Sequence, residues 1–382
     1  MKKIRVLHLR KSEGFYGAEK IILSLVEEID SSIFETTIGC LNDVRKPCLD
    51  LAFEARQGNI NTEVITCRSR FDLQTILKII SIVRRKKIDI LHCHGFKADI
   101  YGWFAARWTD CYLMTTKHGW THANRLVRLW EWMDLIFLRS FDKIVAVSDQ
   151  IAQELLKKHI SQDRIHRIPN GTPIYDNNKL DQSSLRKEMG FKREDRIVGI
   201  VGRLSIEKGH RFFLEAAKSI LNKFPSTKFL IVGEGNLYAE LKNQAFSLGL
   251  KENVFFTGFR KDVALLYRTM DVVVSSSLRE GIPMTILESM AVGKPVVATS
   301  VGGVTKLVQN NRTGFLIPPR DADAIAKKVI KMLGDKKLMK NMGHEGKKFV
   351  RDHFSSKKMA EAYSVLYRDI LAERSLEYNH HN

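Results

Sequence analysis

Two carboxylates lie eight positions apart in the segment Glu280-Gly-Ile-Pro-Met-Thr-Ile-Leu-Glu288. Gly281 favours a turn, and Pro283 suits the first turn of a helix, where its missing N–H costs nothing. The pattern therefore predicts a loop that holds Glu280 and a helix that carries Glu288 and ends near Gly293. Carboxylates so placed can bind hydroxyl-rich ligands, and the adjacent helix N-terminus favours anions such as phosphate.

Two cations lie in an earlier segment, Val201-Gly-Arg-Leu-Ser-Ile-Glu-Lys-Gly209, between a strand pattern and a helical one. Arg203 offers a fork of donors and Lys208 a point charge, so both can reach a diphosphate. The alternative is two solvated surface cations. Glycine turns also end the next two strand patterns, at Gly233-Glu-Gly235 and Thr257-Gly258, although each is a weak nucleotide signal alone.

The elements that position these residues alternate between short apolar runs and amphipathic stretches. The series begins with Ile4–Leu9 and Ala18–Ile29 and begins again with Ile197–Val201 and Arg211–Lys223. Such alternation predicts an α/β protein with two Rossmann-like domains, each with a parallel sheet. The join is expected in the turn-rich segment 169–178. Because ligands bind at the carboxyl ends of parallel strands, we expect the domains to face each other across a central ligand-binding cleft.

The composition indicates which partners, which cellular location and which metal chemistry to expect. The 382 residues carry a net charge of +19, which favours phosphorylated substrates or anionic surfaces. The N-terminus lacks a signal-peptide pattern, and no apolar run has membrane-spanning length, so a cytoplasmic location is expected. The five cysteines lack C-x-x-C spacing and are expected to be free thiols. His92 and His94 resemble a zinc pair only superficially, since no further ligand is suitably spaced, and no metal is expected.

Together these motifs resemble those of the family 4, or group 1, retaining glycosyltransferases, which have the GT-B fold. The matching pieces are the E-x7-E pair, Gly202-Arg203 with Lys208-Gly209, the glycine turns above, and Gly302-Gly303. The resemblance covers nearly the whole chain. It implies an acceptor-side domain at 1–172, with a C-terminal helix from about 355–382 packed back on it, and a nucleotide-sugar-binding domain at 173–354.

The resemblance also implies a role for each matching residue. Arg203 and Lys208 would hold the donor diphosphate, Glu288 the ribose hydroxyls and Glu280 the hydroxyls of the transferred sugar. His118, in Thr116-Lys-His-Gly119, would contact the sugar or orient the reacting groups. Arg203, Lys208, Glu280 and His118 form the expected catalytic set. The other residues expected to bind the donor are Gly17, Gly202, Gly233, Phe259, Arg260, Gly281, Ile282 and Pro283.

The implied reaction is transfer from a nucleoside-diphosphate sugar, such as a UDP- or GDP-sugar, to a saccharide or lipid-linked acceptor in surface polysaccharide or glycolipid synthesis. The anomeric configuration would be retained by front-face attack, without a metal or other cofactor. The alternative enzyme is a nucleotide-sugar 2-epimerase of the same fold. A nucleic-acid-binding protein is disfavoured because it would leave the carboxylate and cation pairs unexplained.

Three features set this sequence apart from a generic member of the family. Segments 71–87 and 124–138 combine basic and aromatic residues, which suits docking to an anionic membrane; the alternative is aromatic packing beside solvated charges. Relatives usually have two adjacent glycines before Ala18-Glu19; here Tyr16 replaces the first, and Gly17 is the second. Lys306 stands where relatives commonly have Glu, so a donor preference copied from relatives would be unsafe.

Overall fold

In the computed structural model of the protein, the described residues are 3–11, 14–69, 71–118, 125–176 and 181–380. For residues 125–129, 131, 182 and 374–380 only the backbone is described. The chain divides into two compact units. The first comprises Met1–Gly171 with Ser356–Asn382, and the second comprises Thr172–Ser355.

The first unit is built on a seven-stranded parallel sheet in the order β3-β2-β1-β4-β5-β6-β7. The order reverses between β1 and β4, which is the point where open α/β sheets bind ligands. The strands are β1 (Ile4–Arg10), β2 (Phe34–Asp43), β3 (Asn61–Cys67), β4 (Ile90–His94), β5 (Tyr112–Lys117), β6 (Lys143–Ala146) and β7 (Ile165–Arg167). The helices are α1 (Gly17–Glu28), α2 (Asp50–Gln57), α3 (Leu73–Lys86), α4 (Phe96–Ala106), α5 (Arg125–Leu138) and α6 (Asp149–Lys157).

The second unit is built on a six-stranded parallel sheet in the order β10-β9-β8-β11-β12-β13. Its strands are β8 (Arg196–Val201), β9 (Thr227–Val232), β10 (Val254–Gly258), β11 (Val272–Ser275), β12 (Val296–Thr299) and β13 (Gly314–Ile317). Its helices are α7 (Gln182–Glu188), α8 (His210–Lys223), α9 (Tyr238–Ser247), α10 (Val263–Thr269), α11 (Met284–Ala291), α12 (Val304–Leu307), α13 (Ala322–Gly334) and α14 (Lys336–His353).

The last helix, α15 (Ser356–His380), returns to the first unit and packs against α1. Its Tyr363 and Tyr367 are buried beside the central strands. The hydroxyl of Ser356 donates to Glu28 over 3.1 Å. Burial of the two aromatic rings stabilises the packing of α15, since fully burying a large apolar side chain contributes about 1.5–3 kcal/mol.

The two faces of the first sheet differ in chemistry at its centre. Leu7 and Leu9 of β1 pack with Leu91 and Cys93 of β4 in the main apolar core. The alternate residues of the same strands point to the opposite face because successive side chains of a strand alternate. No helix among the described residues is long and apolar enough to cross a bilayer.

Candidate active site

The E-x7-E segment forms the loop after β11 and the helix α11 that follows it. Glu280 lies in the loop with 9 % of its side chain exposed, and Glu288 lies on α11. Pro283 is the N-cap of α11 and not its first helical residue, one position earlier than its expected place in the helix. Gly293 follows α11 with a φ of +77°, the left-handed conformation that glycine favours at a helix end.

Two side chains hydrogen-bond to the same carboxylate oxygen of Glu280. Its Oε1 accepts a hydrogen bond from Nζ of Lys208 over 2.6 Å and another from the hydroxyl of Ser277, also over 2.6 Å. The loops after β8 and β11 are thereby tied together, and the predicted phosphate cation lies beside the predicted sugar carboxylate. Sequence reasoning missed Ser277, whose only signal was its position just past a strand end.

The cation loop is held by its backbone as well. A 3₁₀ turn, Ile206–Lys208, ends at Gly209, which has a φ of +63°. A Cβ at Gly209 would meet the carbonyl oxygen of Ser276 at 2.1 Å. The Ser276 hydroxyl donates to the carbonyls of Lys208 and Gly209 over 3.2 and 2.9 Å. Arg203, in contrast, is exposed, and the structure does not bring it to Glu280.

Gly302 and Gly303 support the carboxylate loop from behind. A Cβ at Gly302 would lie 1.9 Å from the carbonyl oxygen of Glu280, and one at Gly303 would lie 2.0 Å from that of Gly281. The carboxylate loop thus fills the space beside this glycine pair. These glycines act through the loop, which they allow to lie against the start of α12.

Glu288 has a buried partner that the sequence did not reveal. The hydroxyl of Tyr267, on α10, donates to its Oε2 over 3.3 Å. Tyr267 is fully buried, and burial, followed by the Glu288 charge, raises the pKa of this phenol well above its usual value. The tyrosine is therefore a neutral donor that orients the carboxylate.

The other donor residues predicted within the second unit lie at the same edge of its sheet. A Cβ at Gly233 would meet the carbonyl oxygen of Gly202 at 2.1 Å, so both turns approach closely. The N–H of Phe259 donates to Glu234 over 3.3 Å, and the Arg260 guanidinium pairs with Glu188 and Asp262 over 2.7 Å each. The Arg260 side chain is thus already bound within the protein. Ile282 is half-buried, whereas Gly281 is exposed.

In the first unit, His118 follows directly on β5. Its Nε2 is buried and has no hydrogen-bond partner among the described residues. Burial, with smaller contributions from Arg10 and Lys117, lowers the pKa of His118 to about 3. The imidazole is therefore neutral near pH 7 and can accept a hydrogen bond, but it is too weak a base to hold a proton there. Gly119, the last residue of the predicted His motif, lies outside the described residues.

Gly17 begins α1, near a buried ion pair at the end of β1. Nε of Arg10 lies 2.9 Å from Oε1 of Glu19, and Nη1 of Arg10 donates to the carbonyl of His94 over 3.0 Å. The N–H of Tyr16 donates to the other oxygen of Glu19 over 3.2 Å. A Cβ at Gly17 would have no atom within 4 Å, so the packing there does not require glycine.

A buried cluster of charged side chains lies at the end of β5, next to His118 in the sequence. Nζ of Lys117 contacts Oδ2 of Asp99, on α4, over 2.6 Å and also binds Asp134, on α5. Burial raises the pKa of Asp134 to about 7, with Lys117 opposing that rise and Asp99 adding to it. Burial alone would depress the pKa of Lys117, but the two carboxylates outweigh it and raise that pKa.

Comparison with known families accounts for this combination. The family "Glycosyl transferases group 1" matches residues 181–349, and "Glycosyltransferase Family 4" matches residues 15–174. The chain belongs to the group 1, family 4 glycosyltransferases. The predictions of this family, of its transferase activity and of two Rossmann-like domains are therefore confirmed. Members of the family use nucleotide-sugar donors, and this glycosyltransferase does so too.

Several relatives of this glycosyltransferase have assigned activities. It is 26% identical to the Escherichia coli UDP-Gal:alpha-D-GlcNAc-diphosphoundecaprenol alpha-1,3-galactosyltransferase, covering 97% of this chain and 98% of the relative. It is also 26% identical to the capsular polysaccharide biosynthesis glycosyltransferase CapM of Staphylococcus aureus, covering 79% and 82%. The relatives thus include enzymes of polysaccharide and glycolipid synthesis.

Solved structures agree on the fold. A glycosyltransferase of Rickettsia africae matches with a TM-score of 0.80 and 23% identity, covering 97% of this chain and 99% of the other. Anabaena HepE in complex with UDP-glucose matches with a TM-score of 0.79 and 22% identity, covering 97% and 100%. The family assignment and these matches establish a GT-B fold for the glycosyltransferase.

Proposed function

We propose that this glycosyltransferase transfers a hexosyl group from a UDP-sugar to a saccharide carried on a polyprenyl diphosphate. The observation that carries the proposal is the 2.6 Å contact of Lys208 with Glu280. It brings together the residue predicted to bind the diphosphate and the residue predicted to bind the sugar. The full-length likeness to an enzyme named for UDP-Gal and a diphosphoundecaprenol acceptor supports the choice of both substrates. The HepE complex with UDP-glucose supports the uridine base.

In the proposed reaction, the bond between the anomeric carbon and the donor phosphate breaks first, through an oxocarbenium-like transition state. Lys208 and Arg203 stabilise the negative charge that develops on the departing UDP, and no metal is required. The acceptor hydroxyl attacks from the face that UDP leaves, which retains the anomeric configuration. Its proton passes to a phosphate oxygen of UDP, so UDP and the lengthened saccharide are the products.

The remaining side chains position the donor. Glu288, oriented by Tyr267, binds the ribose hydroxyls, while Glu280 binds hydroxyls of the transferred sugar. The backbone near Phe259 contacts the base. Neutral His118 accepts a hydrogen bond from the donor sugar or the acceptor. Holding donor and acceptor in this way lowers the activation free energy, because the reacting groups are already bound and aligned when the reaction begins.

The test combines donor selection with product analysis. A thermal-shift screen of nucleotide sugars should give the largest stabilisation with a UDP-hexose, because a ligand that binds only the folded state raises its stability. UDP-hexose with a GlcNAc-diphosphate-lipid should then yield UDP and an α-linked disaccharide by NMR. Selective stabilisation by GDP-sugars would contradict the base, and an inverted linkage would contradict the mechanism. Epimerisation of UDP-GlcNAc without acceptor would favour the alternative enzyme.

We also propose that the first unit docks on an anionic bilayer through α3 and α5, where the lipid-linked acceptor resides. Leu73 and Leu77 on α3 are 67% and 64% exposed, and Trp132 on α5 is 60% exposed. The solvent face of α3 also presents Arg84 and Arg85. Apolar side chains beside cations are the combination that binds an anionic membrane surface. Other aromatics of the segment, such as Phe137, instead pack within the unit.

Cosedimentation tests the docking surface independently of catalysis. The protein should bind phosphatidylglycerol-containing vesicles and not vesicles of phosphatidylcholine alone. The Leu73→Gln, Leu77→Gln double variant should lose binding, whereas Phe246→Gln should keep it, because Phe246 is equally exposed, at 70%, but lies in the second unit. Equal binding of both variants would reject this surface.

A further inference from the structure

Three histidines converge at the centre of the first sheet, where the order of strands reverses. His8 lies on β1, and His92 and His94 lie on β4, with His8 directly opposite His92 in the parallel register. The two β4 residues are two apart and therefore share a face, and the register puts His8 on that face as well. Their exposed fractions are 0%, 0% and 2%.

The nitrogens of these rings are close and incompletely satisfied. One nitrogen from each ring can be chosen so that all three lie within 4.8 Å of one another. Nδ1 of His8 and Nε2 of His94 are 3.1 Å apart. Nε2 of His8 and Nδ1 of His94 have no hydrogen-bond partner among the described residues. Nδ1 of His8 and Nε2 of His94 are thus the facing pair available to an ion, whereas the two unpartnered nitrogens, each a cost of about 1–3 kcal/mol, are the other atoms of the same rings.

We propose that His8, His92 and His94 form a binding site for a divalent transition-metal ion, with Zn²⁺ as the preferred occupant. Imidazole nitrogen is a favoured ligand of zinc, and three histidines leave a fourth position for water or another ligand. At Zn–N distances of about 2.0–2.1 Å, tetrahedral ligands lie about 3.3 Å apart. The 3.1 Å separation of His8 Nδ1 and His94 Nε2 is close to that spacing, so an ion would replace their mutual hydrogen bond, and a His92 nitrogen, within 4.8 Å of the other two ligand atoms, would move closer on binding.

The residues around the three histidines include hydrogen-bond partners for a ligating histidine and one nearby positive charge. His92 contacts the hydroxyls of Tyr367 and Thr116 over 2.7 and 2.8 Å. Metal binding displaces one of these and keeps the other as the outer partner that orients a ligating histidine. The charge of nearby Arg10 opposes a cation, but its contact with Glu19 offsets that repulsion.

The three ligands of this site are not residues assigned to UDP-sugar or to the acceptor. The site joins β1 to β4, and the ring of His94 stacks on that of His118 with centroids 6.2 Å apart. A bound ion would cross-link the two strands whose following loops carry Gly17 and the N-terminus of α4. We therefore assign the ion a structural role and no step of the proposed transfer reaction.

Cobalt provides a direct readout, because a tetrahedral Co²⁺ site absorbs visible light far more strongly than six-coordinate ions held weakly by surface histidines. The full chain, stripped with a chelator and titrated with Co²⁺, should bind about one equivalent with d–d bands that excess Zn²⁺ abolishes. Zinc should also raise the melting temperature. His94→Gln and His8→Gln should lose the bands. His210→Gln is the matched control, since His210 is equally buried with both ring nitrogens unsatisfied, but lies in the second unit.

The wild-type titration decides the matter even if a variant fails to fold. Folded wild-type protein that develops no d–d bands, and retains no more Co²⁺ or Zn²⁺ after desalting than His94→Gln, would overturn the site. The three rings would then be a neutral hydrogen-bonded cluster within the core. Bands that persist unchanged in folded His8→Gln and His94→Gln would overturn it too, because the ion would have other ligands.

Discussion

Nζ of Lys208 lies 2.6 Å from Oε1 of Glu280 across 72 residues of sequence. This contact joins a cation that suits phosphate to a carboxylate that suits sugar hydroxyls, at the carboxyl edge of one parallel sheet. The pair is only partly shielded, with 27% of the lysine side chain exposed. We infer that its value is positional, because a partly exposed ion pair contributes little to stability.

Replacing the lysine should therefore affect turnover far more than folding. We expect Lys208→Ala to lower kcat by about 10²–10³-fold, the usual effect of removing one group that stabilises developing charge. The melting temperature should change little. Steady-state transfer rates at saturating donor measure the effect, and Lys251→Ala, at an exposed lysine of the same unit, is the control. Wild-type turnover in Lys208→Ala would remove this lysine from the catalytic set.

Ser277→Ala should produce a milder form of the same defect. Glu280 would keep its contact with Lys208 but lose the 2.6 Å hydrogen bond that Ser277 donates to the same carboxylate oxygen. Hydrogen bonds to charged groups contribute about 1.5–3 kcal/mol, which corresponds to roughly a 10- to 100-fold loss in kcat/KM. Ser277→Thr, which keeps the hydroxyl, should recover part of the loss. Equal kcat/KM for Ser277→Ala and wild type would show that Lys208 alone positions Glu280.

The proposed ribose role of Glu288 predicts a change in ligand discrimination. Wild-type protein should bind UDP more tightly than its 2′-deoxy analogue, since a site built for a hydroxyl rejects a ligand that lacks it. Glu288→Ala should bind the two with nearly equal Kd by calorimetry. Glu240→Ala, at an exposed position of α9, should discriminate as wild type does. If Glu288→Ala retained full discrimination, another group would have to bind the ribose.

Gly302 should prove intolerant of any side chain. Gly302→Ala would place a Cβ against the Glu280 carbonyl and must displace the carboxylate loop. Gly249→Ala separates this clash from conformational strain, because Gly249 also has a positive φ, +73°, but open space around it. Both variants should pay the left-handed penalty of about 1–2 kcal/mol. Gly302→Ala alone should also lose stabilisation by UDP-sugar in a thermal-shift assay, and equal responses to UDP-sugar would contradict this role.

The charge cluster under β5 predicts a pH effect on stability. The folded state raises the pKa of Asp134 from 3.8 to about 7, so between these values it holds a proton that the unfolded chain releases. The resulting stabilisation is full below about pH 4 and is lost as the pH rises through 7, by a few kcal/mol at most. In Asp134→Asn, the melting temperature should therefore fall less than in wild type between about pH 5 and 8. Asp369→Asn, at an exposed site, should follow wild type; identical profiles for Asp134→Asn and wild type would contradict the shift.

Local patterns were enough to place the carboxylate segment. A strand, a Gly–Pro loop and a helix ending at Gly293 are decided by residues close in sequence, so Glu280 and Glu288 were assigned to the right elements. The strand β7 was not predicted, because its three residues are too few to show a periodic pattern.

Contacts between distant segments could not be read in the same way. The Ser277 and Tyr267 partners of the two glutamates depend on how separate loops and helices pack. The glycine pair 302–303 marks a close approach, but only the packing shows that its neighbour is the carboxylate loop. His8 could not be linked to His94, 86 residues later, because nothing in either segment fixes the register of β1 against β4.

The return of α15 to the first unit makes the second unit an uninterrupted insertion within the first. Both ends of the insertion are paired, since Thr172 bridges Ser355 and its N–H donates to the Phe354 carbonyl over 2.9 Å. Adjacent ends permit a segment to be excised or circularly permuted with little strain. The second unit, residues 172–355, is therefore one continuous polypeptide. The first unit consists of two segments, so expressing it alone would require a new linker in place of residues 172–355.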